Sequence, residues 1–217
     1  MRKCLILFTI CLLLVAMASA DWYPKKIDQG TLLQTDTGAN NIEGLVSIQT
    51  IPAAETSDDD QLVNGASLNS STALALDPTR SQFLDQPDVP RCLLVTPSGA
   101  VTSNIKLVGT DIGGNAITEW ANFSASATPV TTAKAFASVA TINATTTGST
   151  FTVKIGTADK LGLNTKLATN TVLLAALDNT KEGTAPAVTV SSTVLAQNTI
   201  DTSGAPAGKV TKVWFVV

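Results

Sequence analysis

The chain has no histidine. That removes a histidine general base, a Ser-His-Asp triad and imidazole metal ligands. Cysteine is nearly as scarce: Cys4 and Cys11 fall in residues 1–20, which leaves Cys92 alone beyond them. A single thiol makes neither an intramolecular disulfide nor a cysteine zinc site, and without a histidine beside it nothing activates it as a nucleophile. Cys92 sits in the apolar run Arg91-Cys92-Leu93-Leu94-Val95 and reads as a small buried hydrophobe. Aromatics make up 5% and charged residues 14%, so a core of Val, Ile, Leu and Ala is expected. No Lys/Arg cluster is present, and nucleic acid is not an expected partner. No GxxxxGK[ST] phosphate loop occurs. The glycines of Gly109-Thr-Asp-Ile-Gly113-Gly114 lie between two strand-like runs instead of opening a helix, so a dinucleotide reading fails on context.

What is present begins with a distinct amino terminus. Arg2 and Lys3 precede an apolar run from Cys4 to Met17, closed by Ala18-Ser19-Ala20. A basic start, a short apolar middle and a small-x-small ending match a secretory signal peptide, and the run is short for a membrane span. Cleavage after Ala20 would remove both basic residues and no acidic one, leaving 12 basic against 17 acidic residues, a net charge of −5. No stable membrane span is expected after such cleavage.

The clearest structural signal is residues 104–123, NIKLVGTDIGGNAITEWANF. Ile105, Leu107 and Gly109 alternate with Lys106, Val108 and Thr110, and Ala116, Thr118 and Trp120 alternate with Ile117, Glu119 and Ala121. A period of two suits strands with one buried face, and the intervening Asp111-Ile-Gly113-Gly114-Asn115 suits a tight reversal. Further strands are expected at 44–51, 71–76, 91–96, 135–142, 150–155, 171–177, 187–190, 193–196 and 210–217. Turn-rich stretches separate them, including 156–164, 178–183 and 201–208. Short strands at intervals of about ten residues indicate an all-β fold, an antiparallel β-sandwich of Ig-like or jelly-roll-like kind. The organisation expected is a signal-like segment at 1–20, a less regular arm with few strands at 21–86, and a β-sandwich domain at 87–217. The acidic stretch 53–69, with Glu55, Asp58, Asp59 and Asp60, reads as a solvated loop, since it lacks the oxygen spacing of a calcium loop.

Paired carboxylates are the remaining route to catalysis. Asp111 with Glu119 and Asp159 with Asp178 are the candidates. The structural reading is preferred for both: Asp111 opens a turn, Glu119 points to solvent on its strand, and Leu161 and Leu163 tuck inward beside Asp159. No catalytic, metal or cofactor-binding residue is therefore expected, and no enzyme. Trp22, Trp120 and Trp214 are candidate stacking platforms for carbohydrate, with Trp120 and Trp214 read as core residues instead. Asn69, Asn122 and Asn143 start N-x-S/T triplets, which count only in a glycosylating host.

Several stretches, taken in order, resemble a family of tailed-bacteriophage virion structural proteins. They are Gln86-Pro-Asp-Val-Pro-Arg91; Lys106-Leu-Val-Gly-Thr-Asp-Ile-Gly-Gly-Asn-Ala-Ile-Thr-Glu119; Thr131-Thr-Ala-Lys-Ala-Phe-Ala-Ser-Val-Ala-Thr-Ile142; Val153-Lys-Ile-Gly-Thr-Ala-Asp-Lys-Leu-Gly-Leu163; and Asn198-Thr-Ile-Asp201 followed by Gly208-Lys-Val. The likeness covers about residues 86–217. It implies a role in the virion, capsid-associated as a decoration or minor head protein, with capsid or other virion proteins as partners and no catalysis. Exposed sheet edges add the expectation of a homo-oligomer. The signal-like segment supports the alternative of a secreted bacterial surface or adhesion module, and the three tryptophans that of a carbohydrate-binding β-sandwich.

Overall fold

The computed structural model describes residues 32–34, 43–68, 73–75, 85–145 and 150–217. The signal-like segment, Trp22 and Asn69 lie outside these residues. Among the described residues the fold is all-β, and every strand pairing is antiparallel. In chain order the strands are β1 (Leu32–Gln34), β2 (Glu43–Ile51), β3 (Asp58–Leu68), β4 (Ala73–Ala75), β5 (Arg91–Pro97), β6 (Val101–Thr110), β7 (Ala116–Ser126), β8 (Val130–Phe136), β9 (Ser138–Ala144), β10 (Phe151–Gly162), β11 (Val172–Leu177), β12 (Thr180–Lys181), β13 (Ala187–Thr189), β14 (Thr199–Asp201) and β15 (Thr211–Val216).

The described strands form three sheets. One runs β1-β2-β15-β11-β12, a second β13-β14-β10-β5-β8 with β3 also on β10, and a third β4-β9-β6-β7. Residues 43–68 supply two long strands, each joined to a strand from beyond residue 87: β2 pairs with β15 and β3 with β10. The sandwich-like architecture therefore draws on the chain from both sides of residue 86.

The apolar side chains gather in two cores. The first joins β3, β5 and the start of β10 to β6, β7 and β9, through Leu62, Leu93, Ile105, Leu107, Ile142 and Ile155. The second lies between β2, β11 and β15 on one side and the end of β10 with β14 on the other, through Ile51, Leu161, Ala175, Ile200, Val213 and Phe215. Each fully buried large side chain contributes roughly 1.5–3 kcal/mol of transfer free energy. Strand β10 enters both cores, with Val153 and Ile155 in the first and Leu161 in the second.

The central hairpin forms as expected, with β6 and β7 in register from Ser103↔Phe123 to Thr110↔Ala116. Elsewhere the local structure departs from the sequence expectation. The single strand expected at 135–142 is two strands in different sheets: β8 pairs with β5, and β9 pairs with β6. The chain crosses at Ala137, whose N–H donates to Thr110 O at 2.8 Å. Phe136, Val139 and Ile142 all enter the first core, so the apolar rhythm continues across the bend and hides it. At this crossing a side chain on Gly109 would overlap the Ser138 carbonyl.

The expected turn at 156–164 is instead the second half of β10. Residues 53–69, read as a solvated loop, contain β3, in which Leu62, Val63, Ala66 and Leu68 are buried. Gly65, at φ +66°, lies where β3 slips by one residue against β10, a bulge that glycine accommodates.

The strand expected at 193–196 is replaced by a 3-10 turn, Leu195–Gln197. Fully buried Asn198 explains it. Its Nδ2 donates to the carbonyls of Ser191 (2.9 Å), Val194 (3.0 Å) and Leu195 (3.2 Å). Its Oδ1 accepts from the N–H groups of Leu167 and Ser191, both at 2.9 Å. One amide thereby fixes two loops, and the β-branched Thr193 and Val194 follow it instead of their own propensity.

Candidate functional site

The two carboxylate pairs are not assembled as pairs. Asp111 is buried and spent on its own turn: Oδ1 accepts from Gly113 N and Asn115 N, each at 2.9 Å, and from Asn115 Nδ2 at 3.1 Å. Glu119 is not the solvent-facing residue expected. Its carboxylate accepts from the backbone N–H groups of Ala133 and Lys134, and so ties β7 to the start of β8. Glu119 lies opposite Leu107, four residues from Asp111, which places the two about 13 Å apart along the strand. That exceeds the spacing of glycosidase carboxylate pairs. Asp178 sits in the turn after β11 at φ +48° and accepts from Val210 N at 2.9 Å. Asp159 belongs to a different group, on β10.

That group centres on Arg91, whose side chain is fully buried. Between Thr157↔Leu93 and Leu161↔Arg91, four residues of β10 pass two of β5. The guanidinium engages the resulting bulge. Nε donates to Ala158 O at 2.7 Å, and Nη1 donates to Glu55 O and Asp88 Oδ1, both at 3.1 Å. Nη2 stands 3.6 Å from Asp159 Oδ1 as an ion pair. A rigid guanidinium fork suits this task, since from one point it satisfies two carbonyls and the Asp88 carboxylate, while Asp159 is held by charge alone, without a hydrogen bond. The sequence placed Arg91 at the head of a strand and offered no sign of its burial.

Cys92, next to it, is buried, and burial pushes its thiol up from the ordinary 9.0 to about 12. A thiol so protonated is a packing group and a poor nucleophile.

Asp58, Asp59 and Asp60 bring their carboxylates together at the head of β3. Lys154 supplies the counter-charge, with Nζ 3.2 Å from Asp60 Oδ2 and 3.5 Å from Asp59 Oδ1. The hydrogen bond with Asp60, more than any other influence, raises the lysine pKa. Two shallow hollows, of about 220 and 460 Å³, flank Lys181, Glu182 and Gly183. Glu182 Oε1 there accepts from Gly204 N at 2.9 Å and Ser203 Oγ at 3.1 Å, joining two loops.

No protein-family model, curated protein or solved structure matches this chain.

The tryptophans separate. Trp120 is not a core residue: 44% of it is exposed. The parity that buries Ile117, Ala121 and Phe123 on β7 turns Trp120 outward. Lys106, its cross-strand partner, holds Nζ 5.8 Å from the ring centroid. Trp214 is half-buried on β15, in a different sheet, so the two do not share one platform. Asn122 is exposed beside Trp120, and Asn143 is half-buried on β9. Among the described residues no helix is long and apolar enough to cross a membrane.

Proposed function

We propose that this chain is a non-enzymatic structural protein of a tailed-phage particle, associated with the capsid as a decoration or minor head protein. It acts through protein–protein contacts, as a homo-oligomer or as many copies on a lattice, where modest single contacts gain strength by avidity. One observation carries the reading. The four acids with sequence-level claims to catalysis, Asp111, Glu119, Asp159 and Asp178, each serve the chain's own backbone or its buried arginine. The ordered motifs of residues 86–217 add the phage context. No cofactor enters this role. The basic and apolar start at residues 1–20 supports a second location, a secreted surface or adhesion module.

Mass spectrometry of purified particles tests the proposal. Peptides from 87–217 at a copy number commensurate with the capsid lattice are expected. Their absence from particles, together with a processed protein starting at Asp21 in the medium of phage-free cells, would replace it with the secreted reading.

A further inference from the structure

We propose that the outer face of the sheet formed by β9, β6 and β7 binds a neutral glycan, with the Trp120 indole as its stacking platform. This goes beyond the structural role above and does not depend on it.

The face is regular. Trp120 lies opposite Lys106; on one side of that row Asn122 lies opposite Asn104, and on the other Thr118 and Thr141 flank Val108. Asn104, Asn122 and Trp120 are exposed, and Lys106, Thr118 and Thr141 are half-exposed. Rows and strands at ordinary sheet spacings make a patch about 13 Å long and 10 Å wide. The strands are in unbroken register across it, and Lys106 steadies the ring by a cation–π contact. Binding there therefore orders little that is not already ordered.

The chemistry of the surroundings selects the occupant. A protein hot spot surrounds its aromatic anchor with neighbours that exclude water; here, Lys106 and Val108 apart, the neighbours in these rows are amides and hydroxyls. A membrane surface would call for a broad apolar face or a cluster of cations, and a nucleic acid for a cationic groove. Lys106 is the one charged residue in these three rows, and the chain as a whole carries a net charge of −3. A sugar ring offers a C–H face that rests on an aromatic π-surface, and rim hydroxyls that both donate to and accept from side-chain amides. An aromatic ring bordered by asparagine and threonine matches both halves of that surface. The absence of further charge favours a neutral chain over an acidic one.

Affinity electrophoresis in native gels cast with a β-glucan, a mannan or a galactan, and separately with the anionic polymers alginate and heparin, provides the test. Retardation in at least one neutral gel is expected. It should be lost in Trp120→Ala and kept in Lys181→Ala, a surface control on β12. Calorimetric titration with an oligosaccharide of the retarding polymer should show Trp120→Ala binding roughly tenfold or more weakly, and Asn104→Ala and Asn122→Ala weakened to a smaller degree. Circular dichroism confirms that the variants are folded; Trp120 is exposed, so its replacement leaves the core intact. Free migration in every neutral gel, retardation by the anionic polymers only, or equal retardation of wild type and Trp120→Ala would each overturn the assignment.

Discussion

Arg91 Nε donates to the carbonyl of Ala158 at 2.7 Å, so the most deeply buried charge in the described structure fastens the bulge of the strand beside it. Replacing Arg91 with Met leaves Asp88 and Asp159 without their cation and two carbonyls without a donor. The groups left behind keep partial access to water, with the Asp159 side chain 39% exposed, so the loss is that of hydrogen bonds to a charged donor, and guanidinium denaturation of Arg91→Met is expected to show about 1.5–3 kcal/mol. Arg91→Lys keeps the charge but loses the fork and should fall between the two. A midpoint unchanged in Arg91→Met would mean that the cluster contributes nothing net.

The Asp111 turn makes a local prediction. Its carboxylate satisfies two backbone N–H groups and one side-chain amide. Asp111→Ala should cost about 1.5–3 kcal/mol, since part-buried hydrogen bonds to a carboxylate are lost. Asp111→Asn keeps one acceptor oxygen and should lose less. Gly114 has φ +76°, so Gly114→Ala should cost about 1 kcal/mol through left-handed backbone strain. Thermal denaturation of the three variants checks the order.

Cys92 predicts an alkaline limb of stability. The unfolded thiol titrates near 9.0 and the native one near 12. Above pH 9 the unfolded chain releases a proton that the folded chain keeps. The contribution is therefore complete below pH 9 and is lost progressively toward pH 12, with a slope of up to about 1.4 kcal/mol per pH unit. Cys92→Ala should flatten this limb in urea titrations while lowering stability at neutral pH through the cavity it leaves. A thiol reagent should label Cys92 only after denaturant is added.

β15 predicts intolerance to trimming. It lies between β2 and β11, and Val213, Phe215 and Val216 are buried. Deleting residues 214–217 removes the middle of a sheet along with core side chains, and no soluble folded protein is expected. A truncated chain with an unchanged melting curve would refute this.

The parts of the fold legible in sequence are those in which one face of a strand meets one core. Ile105, Leu107 and Gly109 alternate cleanly, and their hairpin forms where the pattern put it. Strand β3 was hidden because its first residues are acidic and its apolar half, Leu62 to Leu68, is interrupted by the Gly65 bulge. The second half of β10 was hidden because Gly156, Gly162 and polar residues look like a turn; a side chain on Gly156 would overlap the Asp58 carbonyl, so the glycine there reflects strand crowding. Trp120 was misplaced because large aromatics favour cores, whereas the parity of Ile117 and Phe123 already pointed it outward. The roles of Arg91 and Asn198 had no local signal: both depend on carbonyls from distant or irregular segments, and those positions exist only once the sheets are assembled.

Because β10 threads both hydrophobic clusters, the two cores of the described residues share one strand. Strain applied to one half is delivered to the other through a single continuous backbone, and the arginine at its bulge is the rivet that keeps that beam from straightening. Opening of one core therefore disturbs the packing of the other, so exchange of the β10 amides in both is expected to be protected together.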